Sequence, residues 1–85
     1  MIEPSEIETM LRAAFPDGEF QVRDLTGGKD HYEAMIVSDA FAGKGLIEQH
    51  RLVYAALGDA MKQRIHALTL KTYTHQNKPN HRRLL

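Results

Sequence analysis

The sequence predicts a two-layer α+β domain, a three-stranded mixed sheet with helices on one face, in the order α-β-β-α-α-β. Three observations carry this. Two runs of alternating apolar residues flank a glycine-rich turn, the pattern of an antiparallel hairpin. Two helical stretches around Gly58 separate that hairpin from a last strand-forming run, which is enough chain for a crossover to a parallel strand. The chain has 85 residues, one domain at most, and a sheet this small needs helices packed against it to build a core.

The elements follow in order. Ser5-x-x-Glu8 reads as a capping box, and Ile7, Met10, Leu11 and Ala14 then share one helical face. Pro16 and Gly18 stop that helix near Phe15. From Glu19 to Leu25, Phe20 and Val22 alternate as in a strand. Gly27-Gly28-Lys29-Asp30 is turn chemistry. A second strand runs from His31 to Ser38, with Tyr32, Ala34 and Ile36 on one face and Met35 and Val37 on the other. Residues 38–45 connect to a helix whose stripe is Leu46, His50, Val53, Tyr54 and Leu57. Gly58 suits the helix end and Asp59 the cap of a short helix, Ala60 to about Ile65, with Met61 and Ile65 inward. His66 to Thr74 is rich in strand formers, and His66 shares the parity of Leu68 and Leu70. Residues 1–74 therefore form the domain, and 75–85 are expected to be a flexible basic tail, frayed around Pro79.

Composition narrows the function. There is no cysteine, hence no disulfide, no thiolate ligand and no thiol nucleophile. A small chain without disulfides suits the reducing cytoplasm. No apolar run is long enough to span a membrane, and the acidic start, Met1-Ile2-Glu3-Pro4-Ser5-Glu6, is unlike a signal peptide. Net charge is zero but polarised. All eleven acids lie at or before Asp59, against five bases there, while residues 60–85 carry Lys62, Arg64, Lys71, Lys78, Arg82 and Arg83 and no acid. Such asymmetry marks either a solvated strand and tail or a face for an acidic partner.

Enzyme motifs are missing, so the protein is expected not to be an enzyme. Ser5 and Ser38 lie outside any G-x-S-x-G elbow, and Gly43-Lys44-Gly45 lacks the rest of a phosphate loop. Glu6 and Glu8 fall on different helix faces. The five histidines, His31, His50, His66, His75 and His81, lack the H-x-x-x-H spacing of a helical chelate, so any ligand pair must form by folding. His31 opens a strand after a glycine-rich turn, a place where most polar residues are merely solvated. His66 enters the last strand, where a core histidine with one nitrogen on backbone is common, as is a metal ligand. His50 lies on an apolar stripe and suits packing. The helix pair around Gly58 is similar to a helix-turn-helix, with Lys62 and Arg64 on its second member and Lys71 on the next strand as candidate nucleic-acid contacts. Helix pairs of this kind are common in proteins that never touch DNA. The order also suggests a KH domain, but Leu57-Gly58-Asp59-Ala60 has one glycine where the G-x-x-G clamp needs two.

Ser38-Asp39-Ala40-Phe41-Ala42-Gly43-Lys44, His50-Arg51-Leu52-Val53-Tyr54-Ala55-Ala56-Leu57 and Ile65-His66-Ala67-Leu68, followed by Leu70-Lys71-Thr72-Tyr73-Thr74, closely resemble the BolA-like proteins, over about Ser5 to Thr74. The resemblance implies a fold similar to class II KH domains. It also implies partnership with monothiol glutaredoxins of the Cys-Gly-Phe-Ser type in iron–sulfur trafficking or iron and stress regulation and, for some members, DNA binding and transcriptional control. The family's cluster-ligating histidine falls on His66, and its second ligand, from the loop between the first two strands, on His31. The resemblance fails at the end of the chain, where Thr74-His75-Gln76-Asn77 stands in place of a Thr-Pro run with a tryptophan. A chain without thiolates would share a 2Fe–2S cluster, its imidazoles ligating iron while a glutaredoxin cysteine and glutathione supply sulfur, and would hold no cofactor alone; Rieske centres use a comparable split. Imidazoles ligate only when neutral, so binding should weaken below roughly pH 6.

Overall fold

A computed structural model describes residues 2–28, 30–65 and 67–79, with the backbone alone at Gln63. The helices are α1 (Pro4–Ala14), α2 (Leu46–Leu57) and α3 (Ala60–Gln63), and the strands β1 (Glu19–Asp24), β2 (His31–Val37) and β3 (Ala67–Tyr73). A single 3-10 turn covers Asp39–Phe41. The sheet order is β1-β2-β3, with β1 antiparallel and β3 parallel to β2. This is the mixed sheet the sequence predicts.

The alternation in β2 sets the layers. Tyr32, Ala34 and Ile36 are fully buried, and with Ile7, Leu11, Phe15, Phe41, Val53, Leu57 and Ile65 they form the core. Phe20 and Val22 of β1 and Leu68 and Leu70 of β3 pack on the same side. The opposite parity puts Arg23, Glu33 and Lys71 on the face away from the helices, paired through the register Arg23↔Glu33↔Thr69 and the neighbouring rung Met35↔Lys71. Phe41 enters the core from the 3-10 turn and meets the Phe15 ring at 5.2 Å between centroids.

Several local expectations are corrected. The first helix is capped by Glu3 and Glu6, not by Ser5 and Glu8: the Glu6 carboxylate accepts from the Glu3 N–H, completing a capping box two residues earlier. Pro4 then takes the first helical position, where its missing N–H costs nothing. Ser5 instead offers its carbonyl to the Thr9 hydroxyl. Ala14, expected inward, is exposed. Ile2, unremarked in the sequence, is buried beside Tyr32, whose hydroxyl donates to the Ile2 carbonyl at 2.7 Å.

On α2, Val53 and Leu57 are buried, but Leu46 and Tyr54 are 63% and 42% exposed. The helix covers only part of the sheet, so its true stripe is narrower than the periodicity suggests. Gly58 closes α2 at φ +52, a left-handed value that favours glycine. Asp59 makes no side-chain cap for α3, and that helix ends at Gln63, two residues before the expected end. Ile65 still reaches the core.

Ser38 ties the end of β2 to the α1–β1 turn and to β3. It is fully buried. Its hydroxyl donates to Asp17 at 2.7 Å and accepts from the Ala40 N–H, and its own N–H donates to the Tyr73 carbonyl. We expect Ser38→Ala to destabilise the protein by about 1–2 kcal/mol, because it removes two hydrogen bonds at a buried site. Urea unfolding followed by far-UV circular dichroism measures this.

Candidate metal-ligating end of the sheet

β2 and β3 run parallel, so they begin at the same end of the sheet. The register pairs His31 with Ala67, and the Ala67 N–H donates to the Asp30 carbonyl at 3.2 Å. The β1–β2 turn therefore abuts the entry to β3. The turn is built locally: the Asp24 carboxylate accepts from the Thr26 and Gly27 N–H groups, and Gly27 adopts φ +78. Leu25 N–H closes on the His31 carbonyl at 2.8 Å.

The His31 side chain is 49% exposed, with Nε2 3.8 Å from the Asp30 carboxylate. It projects from the sheet face away from the helices, the parity of Glu33. There Arg23 Nη2 lies 2.8 Å and Lys71 Nζ 3.5 Å from the Glu33 carboxylate. The Arg23 hydrogen bond, aided by the charges of Arg23 and Lys71, holds the Glu33 carboxyl below its usual range despite partial desolvation. His66 lies outside the described residues, between Ile65, which is buried, and Ala67, which opens β3.

The remaining described histidines sit elsewhere. His50, on α2, carries a buried Nε2 with no hydrogen-bond partner among the described residues; this agrees with a packing role. His75 lies at the far end of β3, beside Asp17 and Asp39, the donor atoms of the three lying within 4.8 Å of one another. Those groups are committed to protein contacts: Asp17 accepts from Ser38 and from the Asp39 N–H, and Asp39 accepts from the His75 N–H. The first two contacts hold the Asp17 carboxyl below its usual range. The arrangement is a hydrogen-bonded cluster, and sequence reasoning missed it.

The candidate nucleic-acid residues do not share one face. Lys62 is exposed on α3. Arg64 follows it and pairs with Glu6 of α1 at 2.8 Å. Lys71 projects from the other side of the sheet and pairs with Glu33.

Fold and strand ends together define a small α+β domain of the class II KH order, without the glycine clamp of the nucleic-acid-binding KH domains. The chain belongs to the BolA family: the family described as BolA-like protein matches residues 2–77. It is 35% identical over 81 residues to the DNA-binding transcriptional regulator BolA of Escherichia coli (strain K12), covering 87% of this chain and 77% of that one. It is 39% identical over 75 residues to SufE-like protein 1, chloroplastic/mitochondrial, of Arabidopsis thaliana, covering 86% of this chain but 20% of that longer protein. Among solved structures, BolA1 from Arabidopsis thaliana superposes with a TM-score of 0.81 at 28% identity, over 92% of this chain and all of that one. No helix among the described residues is long and apolar enough to cross a membrane.

Proposed function

We propose that this BolA-family protein is a non-catalytic, cytoplasmic partner of a monothiol Cys-Gly-Phe-Ser glutaredoxin, and that the two share a 2Fe–2S cluster in iron–sulfur trafficking or iron and stress regulation. The observation that carries the reading is the parallel pairing of His31 with Ala67. It sets the start of β2, which holds one candidate ligand, His31, beside the strand entry that follows the other, His66.

The donor set fits a shared cluster and not a resident one. The chain offers imidazoles and no thiolate, so half of a cluster's ligands must come from the glutaredoxin cysteine and glutathione. The His31 side chain is about half exposed at this end of the sheet. The presence of a BolA-like stretch within a SufE-like protein supports a role near sulfur handling. Mixing the protein with cluster-loaded glutaredoxin and recording visible circular dichroism tests the reading: a new spectrum, distinct from that of the glutaredoxin alone, is expected, and an unchanged one refutes it.

The name of the Escherichia coli relative favours a second reading, DNA binding through Lys62, Arg64 and Lys71. Here Arg64 and Lys71 must exchange their carboxylate partners for phosphates. On this reading a gel shift should appear at low salt and weaken steeply between about 50 and 200 mM salt, where phosphate-dominated binding is lost. No shift at low salt counts against it.

A further inference from the structure

We propose that His75 is a proton-operated clasp that fastens the segment after β3 to the far end of the sheet. The clasp lies at the opposite end from His31, so its failure and that of the cluster reading are separately visible.

The contacts of the ring determine its proton count. Nε2 lies 2.9 Å from the Asp17 carbonyl oxygen. A carbonyl only accepts, so Nε2 carries a hydrogen. Nδ1 lies 3.3 Å from Glu19 Oε2, and an ionised carboxylate also only accepts. A neutral imidazole with its hydrogen on Nε2 turns the Nδ1 lone pair toward an anionic oxygen. The imidazolium, with hydrogens on both nitrogens, satisfies both contacts and adds attraction to Asp17 Oδ2, 3.5 Å from Nε2.

Four elements place charge around the ring. The α1–β1 turn brings Asp17, β1 brings Glu19, the 3-10 turn brings Asp39, and the segment after β3 brings Lys78. Lys78 Nζ sits 2.6 Å from the same Glu19 oxygen. Among the described residues, three acids and one cation surround the ring. Asp17 stays ionised above the ordinary carboxylate range because the Asp39 N–H and the Ser38 hydroxyl hold its charged form. Of the side-chain types described around this ring, imidazole is the one that ordinarily changes charge between about pH 5.5 and 8.

The backbone follows the ring. The His75 N–H donates to Asp39 Oδ1 at 3.2 Å, and Asn77 closes a turn by accepting from the Thr74 N–H at 2.7 Å. The His75 side chain is 32% exposed, so solvent screens the pair and its effect is modest. The clasp is fully made when the ring carries both hydrogens and loosens when Nδ1 loses its own.

Amide hydrogen exchange, expressed as protection factors, tests this on the full chain at about pH 5.5 and 8. Protection of the His75 amide should fall about threefold or more toward high pH, while the Leu11 and Val53 amides keep theirs. In His75→Gln, whose side-chain amide still donates to the Asp17 carbonyl, protection should not change with pH. Equal protection of the wild type at both values overturns the proposal. So does a fall that His75→Gln shares, or one that the core amides follow.

Discussion

Phe41→Ala should remove about 3–5 kcal/mol of stability, the usual cost of emptying a buried aromatic site. Phe41 has no exposed surface and contacts the Phe15 ring at the end of α1. It reaches the core from a three-residue turn held by Ser38 on one side and the Ala42 N–H bond to Asp39 on the other. A turn fixed at both ends cannot follow the lost ring inward, so the cavity persists. Small domains have roughly 5–15 kcal/mol in total, and one of this size sits low in that range. The variant should therefore unfold at far lower urea than wild type. Leu46→Ala, at a residue 63% exposed, should change stability by no more than about 0.5 kcal/mol. A Phe41→Ala loss below about 1 kcal/mol would mean that the 3-10 turn does not anchor the core.

The largest functional effect is expected at His66. With cluster-loaded glutaredoxin, His66→Ala should give no spectrum beyond that of the glutaredoxin alone. His31→Ala should give a weaker or more labile one, because a half-exposed ligand at the start of a strand is more readily replaced by another donor. His50→Ala, at a ring packed on α2, should leave the spectrum unchanged in whatever protein folds. Far-UV circular dichroism of each variant separates loss of ligand from loss of fold. If His31→Ala abolishes the spectrum and His66→Ala does not, the assignment of the ligands is reversed.

Most of the fold was legible because local chemistry and packing agree. Tyr32, Ala34 and Ile36 alternate in sequence and line the core in space. Gly27 takes the left-handed backbone its turn requires. The helical length between β2 and β3 permits a parallel return, which the register confirms. The misreadings have physical causes. Ser5 and Glu8 match a capping box as well as Glu3 and Glu6 do, and Pro4 decides between them by taking the first turn. Leu46 and Tyr54 fit the helical period, yet a three-stranded sheet has too little area to cover them. Ile2 lay outside any period and is buried through its contact with Tyr32.

The candidate site was legible in part. A turn before a strand placed His31, and resemblance selected it; that β3 begins beside it follows only from the strand order. The His75 cluster was invisible, since its partners Asp17 and Asp39 lie 58 and 36 residues away in sequence. A polar run after the last strand reads as frayed tail, yet its first residues are bonded to the domain. The departure from the family's Thr-Pro ending at that same point was the one available signal.

The central claim is that the protein and a monothiol glutaredoxin hold a cluster that needs histidines of this chain. The most direct measurement is iron and acid-labile sulfide in the complex co-purified with that glutaredoxin, for wild type and His66→Ala. The account predicts equal iron and sulfide in the wild-type complex and background levels with His66→Ala. A complex that carries the same iron and sulfide in both would contradict it.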